Sequence, residues 1–423
     1  MLKVILRNNR HIPPFNEPAS KLRVLNKPLW QLQREILEPF VETEVVVNSF
    51  DTIPSDVTEM LVYADNLWFD EAFIQTFVNE ARRRKKPVRV AFRADDPAYL
   101  QQGLRQVTKS FEKRGDLYYA DLWYFPLGPS DGVEPLIISS EAQAVPYYQL
   151  TSNVPSQDGK VVWWVPERSM CPIDSWLHLF FANTVFGVFT EAVHFDQRSG
   201  DTSFRFRMAW RNLSGRAHGG SPNEVTTGTN ANIDPSTVFH GLVVIGDDVT
   251  IGPGCVISNC IIGDGVTLAH ANSFSMSILG DGCYFPGGAS ASFTTFFDKS
   301  QAALGASLEM SIVGRNTYIG GGTVLTNVNL LPQRFVLNVD YEPHEVEVPV
   351  LGSCVGHNCR LGPGMIVYPG RMIESDVVLM ASPTRRVIMN DISFEESDHH
   401  ASELGNLHPR LYPRQDQQRA DSW

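Results

Sequence analysis

The chain has 423 residues, 43% hydrophobic and 19% charged, a length that suits two domains and a composition that excludes a disordered chain. Thirty-five basic against 47 acidic residues leave a net charge of −12, opposite to the field a nucleic-acid or anionic-membrane protein needs. The start, Met1 to Arg7, turns polar too soon for a secretory segment, and the longest apolar stretch, Trp176 to Phe189, is too short to span a bilayer and contains His178 and Asn183. Six cysteines are too few for a disulfide scaffold of this length. These features predict a cytoplasmic protein with no membrane span and no nucleic-acid partner.

Leu2 to Leu6 reads as a buried strand. Pro28 then starts a helix carrying Leu29, Leu32, Ile36 and Leu37. Glu44–Val47 and Met60–Tyr63 read as strands, Asp70 caps a helix with Phe73, Phe77 and Ala81 on one face, and Val88–Phe92 is a further strand. The basic run Arg82 to Lys86 ends that helix, where cations suit the helix dipole. Alternation of strand and helix at this spacing predicts a doubly wound, mostly parallel sheet. The aromatic stripe from Trp176 to Phe189 predicts a buried helix.

Glycine marks the change of architecture. None precedes Gly103, and 20 of the 32 lie between Gly241 and Gly370. A six-residue period begins at Ile245-Gly246, Ile251-Gly252 and Ile257-Ser258, slips by one residue, and continues through Ile262-Gly263, Leu268-Ala269, Leu279-Gly280, Phe285-Pro286, Val313-Gly314, Ile319-Gly320 and Leu361-Gly362. That period matches neither a helix nor a strand; it fits a triangular solenoid with one short strand per side, an inward aliphatic, and a glycine or Asp/Asn turning the corner. Cys255, Cys260, Cys283 and Cys359 fall in a slot that takes small apolar side chains, so they read as core groups rather than metal ligands. Asn329 to Val350 break the period, as a loop or hairpin leaving the prism would. The expected organisation is an α/β domain over 1–215 with a helical connector at about 172–192, a linker over 216–235, the solenoid over 236–390 and a disordered polar tail over 391–423.

The solenoid resembles the hexapeptide-repeat, left-handed parallel β-helix family of acyltransferases. The N-terminal half resembles the sugar-1-phosphate nucleotidyltransferases: the stretch Ser20 to Leu29, with Lys21, Lys27 and Pro28, aligns without a gap to their PKxLLPVxGKP segment, and Leu61 to Asp65 to the strand whose closing Gly-Asp holds magnesium. The expected fold is therefore an α/β doubly wound nucleotidyltransferase-like domain followed by an all-β left-handed β-helix. The resemblance implies a transferase-type protein of nucleotide-sugar or cell-envelope polysaccharide metabolism. Its partners would be a sugar phosphate, a nucleoside triphosphate or a nucleotide sugar, and its assembly a homotrimer through the β-helix. Mg²⁺ would serve nucleotidyl transfer and acetyl-CoA or another acyl-CoA would serve acyl transfer.

Within that resemblance Arg10, Lys21 and Lys27 are the phosphate-binding candidates, the alternative for the lysines being solvated side chains beside a proline turn. Asp65 is the Mg²⁺ candidate, the alternative being a turn residue with Asn66. The family's Gly-rich loop is replaced by Ile5 to Arg10, without glycine, so Arg7 and Arg10 would substitute charge for backbone amides. In the β-helix, Gly320 to Asn327 resembles the family's GAGTxxxNY, which makes Asn327 a sugar- or acyl-contacting candidate. The family's base histidine is missing near Leu304. His270 is the candidate base, against an outward polar residue, and His357 in a coil turn reads the same way. The second reading is a non-catalytic relative acting as a trimeric sugar-nucleotide-binding or scaffold protein.

Overall fold

The computed structural model describes residues 1–54, 59–104, 109–149, 160–199, 224–330, 334–339, 342–401 and 408–417. The chain divides into two compact units: Met1–Ile12, Glu17–Tyr148 and Val162–Ala182 form the first, and Pro13–Asn16, Gln149–Val161 and Asn183–Trp423 the second. The division between these compact units falls inside the connector, while the expected boundary near residue 215 lies among residues 200–223, outside the described set.

In the first unit, β1 (Leu2–Leu6) lies between β2 (Thr43–Val47) and β3 (Met60–Ala64), parallel to both. Beyond β3 come β5 (Leu117–Phe125), β4 (Val88–Arg93) and β6 (Glu134–Ile137). The expected strands all form. The sheet departs from the expectation at β5, which inserts antiparallel between β3 and β4. The apolar run of β3 is wholly buried, as a central strand covered on both faces must be.

Helix α1 (Leu29–Leu37) and helix α2 (Glu71–Arg84) form where predicted. Asp70 accepts the Phe73 amide at 2.7 Å and the Ser169 amide at 2.6 Å, so one carboxylate both caps α2 and anchors a distant segment. The helix buries Phe73, Ile74, Phe77, Val78 and Ala81 and ends at Lys85 in the left-handed conformation (φ 55°). Its basic end is solvated through ion pairs such as Arg82–Glu59 and Lys86–Glu134.

The helical run Trp176–Gln197 is long and apolar enough to cross a membrane, contrary to the expectation from the shorter stretch, but 89% of its apolar window is buried inside the protein. A wider turn at Thr184–Phe189 interrupts it, where the Thr190 hydroxyl donates to the Val185 carbonyl at 2.7 Å.

The second unit is the left-handed parallel β-helix. Three stacks of short strands run along it, for example Thr250–Ile251 over Thr267–Leu268, Ser273–Ser275 over Ser290–Ser292, and Ile278–Leu279 over Thr295–Phe296. Ile251, Leu268, Phe285, Ile319 and Leu361 point inward and are at most 1% exposed, as the six-residue period predicts. Corner bonds such as Asp247 amide to Asp264 carboxylate span 17 residues, so the single-residue slip recurs in every such coil.

The shortened corner is the surprise. Asn259 turns it as expected, but Met276, Phe293 and Met310 turn the following coils at the same φ, near 49°, where glycine or Asp/Asn was expected. Each left-handed apolar residue costs about 1–2 kcal/mol. Burial of Phe293 and Met310, at 0% and 3% exposure, offsets that cost. So do coil-to-coil bonds such as Phe293 amide to Ser275 carbonyl (3.0 Å).

The excursion after Asn327 is an antiparallel hairpin, β7 (Phe335–Val339) with β8 (Glu342–Val346). All six cysteines are free and buried.

Two expected boundaries shift. Strands Glu224–Thr227 and Asn232–Ile233 already belong to the coils, so much of the expected linker is β-helix, while 216–223 lie outside the described residues. The tail, expected to be disordered, is packed over its described parts. Ile392 bridges Ile373, and Asp391 accepts the Met372 amide (2.8 Å) and the Asn338 side chain (2.7 Å). Asp376 accepts the Leu411 and Tyr412 amides, and Glu374 accepts the Arg414 guanidinium and the Phe394 amide. The polar residues that suggested a solvated tail are used as partners for it.

Candidate functional site

The polar centre of the first unit sits at the carboxyl ends of β1 and β3, where open α/β sheets place their ligand crevice. Asp65 follows β3 directly, its amide continuing the pairing to the Leu6 carbonyl at 3.0 Å. Its carboxylate accepts the Asn8 amide at 2.8 Å and the Ser20 hydroxyl. Gln33, on the buried face of α1, donates to the Asp65 and Leu67 carbonyls at 3.1 and 2.6 Å. Burial raises the Asp65 pKa to about 6, against the opposing pull of those two donors and Arg7. Asp65 thus ties the loop that carries Arg7 and Arg10 to the turn that carries Lys21.

The second carboxylate that the sequence does not advertise is Asp174. It is 1% exposed. Its Oδ1 accepts the Asn66 amide nitrogen (3.1 Å) and the Ser110 hydroxyl (2.6 Å), and its Oδ2 accepts the Lys109 and Ser110 amides (2.8 and 2.9 Å). The Arg10 guanidinium lies 4.0 Å from Oδ1. Burial pushes the Asp174 pKa up, but His178 and the Ser110 and Lys109 donors outweigh it and hold the group below the ordinary range. Asn66 and Asp174 are 108 residues apart. Read locally, Pro172 to Trp176 is simply a helix start, which is why the sequence did not single Asp174 out.

The phosphate candidates are not equivalent. Arg10 is half-buried beside Asp174, and its amide donates to the Asn8 side chain at 3.1 Å. Lys21 is exposed, next to the Ser20 that bonds Asp65. Lys27 is exposed and paired with Glu35 on α1.

A divalent cation needs oxygen lone pairs left open in a roughly octahedral set. Asp174 has four donors on its two oxygens, Asn66 turns an NH₂ toward it, and Asp65 is engaged by Asn8 and Ser20. No group of three His, Cys, Asp or Glu side chains among the described residues is arranged for a metal. The residues present do not fit Mg²⁺. Asp65, expected as its ligand, acts as a hydrogen-bond hub because burial favours donors already fixed by the backbone.

The two β-helix candidates are apart. His270 is exposed at the corner after Thr267–Leu268, its ring against the Cα of Gly287. Asn327 follows Val324–Leu325, 7% exposed, and its carbonyl accepts the Leu351 amide at 2.9 Å, closing the base of the hairpin excursion. Three strand pairings separate their coils, about 14 Å along the axis at about 4.8 Å each. His357, read as a candidate base or an outward polar residue, does not face outward. It is buried, with Nδ1 accepting the Arg315 amide at 2.8 Å and its ring near Phe15, Phe297 and Tyr412.

Residues 222–346 match the family model of the GMPPB C-terminal domain, a sugar-nucleotidyltransferase-like C-terminal region. No curated protein matches the chain. Among solved structures, the chain is similar to the polysialic acid O-acetyltransferase OatWY (16% identity, 40% of this chain and 82% of that chain, TM-score 0.20). It is also similar to the acetyltransferase domain of PglB from Neisseria gonorrhoeae FA1090 (14% identity, 45% of this chain and 60% of that chain, TM-score 0.13). The chain is an α/β unit followed by a hexapeptide left-handed β-helix, and residues 222–346 of it are similar to the GMPPB C-terminal domain.

Proposed function

We propose that this chain serves nucleotide-sugar metabolism as a binding and scaffold protein. Its α/β unit takes a sugar phosphate, nucleoside triphosphate or nucleotide sugar at the carboxyl end of the sheet, and its β-helix assembles a homotrimer. The observation that carries this reading is Asp65: one carboxylate joins the Asn8 amide and the Ser20 hydroxyl, drawing together the two segments that bear Arg10 and Lys21. Those cations supply the charge for phosphate, while the hydrogen-bonded carboxylates offer nothing to a transferring phosphoryl group. A second reading, acyl transfer from acyl-CoA along the prism, is favoured by the position of Asn327 at the foot of the hairpin. In that reading His270 would act from a neighbouring subunit, because its own coil is remote from Asn327.

The test is a melting-temperature panel with nucleoside triphosphates, nucleotide sugars, acetyl-CoA and CoA, since a ligand that binds only the native state raises the midpoint. It is combined with an assay of pyrophosphate release. A rise with a nucleotide or nucleotide sugar and no pyrophosphate release supports the binding reading. Sustained pyrophosphate release with a sugar phosphate overturns it in favour of a nucleotidyltransferase. A rise with CoA that Asn327→Ala abolishes moves the chemistry to the β-helix.

A further inference from the structure

We propose that the described tail segments, 391–401 and 408–417, form an acid-released latch: they close the last coils of the β-helix through a cluster of three histidines, His399, His400 and His408, and let go when that cluster takes up protons. All of these groups lie within the second unit.

A solenoid ends in a coil whose outer edge has no further coil to pair with. Here the tail takes that place. The Val378 amide donates to the Ser397 hydroxyl at 2.7 Å and the Met380 amide to the Asp398 carboxylate at 2.6 Å. On another face the Glu374 amide donates to the Ile392 carbonyl (2.8 Å) and the Ile392 amide to the Met372 carbonyl (2.9 Å). The second segment is held by Asp376, which accepts the Leu411 and Tyr412 amides at 2.9 and 2.7 Å.

The histidines sit where the two segments meet. His399 is buried, with its Nδ1 2.6 Å from the Ser397 hydroxyl that pairs Val378. Its ring centroid lies 4.0 Å from that of His400 and 5.3 Å from that of His408. Phe394 closes the group, 5.6 Å from His399 and 4.8 Å from His400. The His408 Nε2 is buried without a hydrogen-bond partner among the described residues, so a proton there would be a buried charge with nothing to accept it. Neutral rings pack at these distances; charged ones repel.

The surroundings offer little compensation. Arg360 faces His408, and the Arg410 guanidinium lies over the Phe394 ring at 4.1 Å. Glu374 is paired with Arg410 and Arg414, Glu395 with Arg414 and Asp398 with Arg385, while Glu396 accepts the Ser393 amide. Burial and Arg360 hold His408 below the ordinary histidine range, outweighing the Asp376 carboxylate and the Asn358 and Asp376 backbone. Burial, then the charges of His400 and His408, likewise lowers His399. The docked tail therefore binds these protons less tightly than a released one. Docking is at full strength above about pH 6.5 and weakens as pH falls below it, by up to about tenfold per pH unit for each proton taken up. Asp376 works against this, because burial raises its own pKa.

The test is amide hydrogen exchange of the full chain at about pH 7.5 and about pH 5.5, read by mass spectrometry and corrected for the intrinsic exchange rate. The proteins are the wild type and the double variant His399→Gln/His408→Gln, whose new side chains stay neutral at both pH values. In the wild type the protection of Val378, Met380, Leu411 and Tyr412 should fall at least about tenfold on acidification, while that of the interior strand Ser290–Ser292 holds. The double variant should show no such fall. Tail protection that stays level or rises in the wild type overturns the latch. A fall that the double variant retains overturns the role of the histidines. A parallel loss at Ser290–Ser292 overturns the latch too, because the whole unit is then opening. If the tail of the double variant is open at both pH values, a wild-type titration decides: loss beginning near pH 6.5 supports the histidines, and loss only below about pH 5 overturns them in favour of the carboxylates.

Discussion

The two units of this chain hold themselves together by opposite means. The β-helix repeats one solution: an inward aliphatic, a corner bond to the next coil, then the same again 17 residues later. Along this row each coil makes the same bond as its neighbour, so each bond is one of a series. The polar end of the α/β unit is held by single residues, Asp65, Asp70 and Asp174, each accepting donors from segments far apart in sequence. Repetition gives a fold that reads easily and tolerates change. Singular carboxylates give a precise constellation with no substitute, which is where binding can be specified.

Substitutions can break this comparison, beginning with the largest effect. Phe285 is fully buried, with rings of Phe274 and Phe296 at 4.8 and 5.0 Å. Phe285→Ala should cost about 3–5 kcal/mol in denaturant unfolding. The loss should appear in the β-helix transition while the first unit's transition stays in place. A common shift of both would show that the two units unfold as one.

Asp174→Asn should cost about 1–3 kcal/mol, because the Lys109 and Ser110 amides then face a neutral group that brings its own donors. The corresponding Asp264→Asn on the solenoid corner should cost less than about 0.5 kcal/mol, since that carboxylate is exposed and only one of a row. Equal costs in thermal unfolding would remove the contrast.

The tail sharpens the comparison from the other side. Arg414→Ala removes a two-pronged ion pair to Glu374 and should leave the chain folded, at about 1 kcal/mol, while speeding proteolytic cleavage between Glu395 and Arg414. Unchanged cleavage would mean that the remaining contacts, those of Asp376, Asn16 and Arg410 among them, hold the segment.

A pH effect follows from Asp65. Its folded pKa, near 6, lies above that of an ordinary aspartate, so the folded state binds the proton more tightly than the unfolded chain. Its contribution to stability is present at low pH and is lost as pH rises through about 6. The stability of wild type relative to Asp65→Asn should therefore fall between about pH 4 and pH 6 and stay flat above that. A difference that rises over this range would contradict the burial of the carboxyl. The smallest effect belongs to Lys27→Ala, whose exposed pair with Glu35 should contribute no more than about 1 kcal/mol, with greater loss in low salt.

Most of the fold is legible in the chain. The strands of the first sheet, the Asp70 cap, the hexapeptide coils and the hairpin excursion all follow from periods and turn chemistry that a few neighbouring residues carry. Three elements escape. The antiparallel insertion of β5 depends on which strand edge is free when the sheet assembles. The shortened corners at Met276, Phe293 and Met310 break the expectation of glycine because burial and stacked backbone bonds outweigh a local strain. The tail from Asp391 has the composition of a solvated segment, and its acidic and basic residues find partners only once the last coils exist.

The candidate site divides along the same line. Asp65 and Lys21 stand out by position in the sequence, at a strand end and in a turn. Asp174 does not, because its meaning comes from Asn66, Lys109, Ser110 and Arg10, which the sheet brings to it. The repeat in the sequence already puts His270 several coils before Asn327, and the strand pairings give that separation its distance along the axis.

By itself the sequence determined the architecture: a six-residue period can close only as a prism, since inward side chains must recur at every turn, and strand–helix alternation can close only as a layered sheet. The tertiary structure alone decided the state of the carboxylates. Whether an aspartate coordinates a metal, caps a helix or anchors an arginine depends on the donors that reach its oxygens. For Asp174 the Asn66 donor comes from 108 residues away, a distance over which no local pattern carries information.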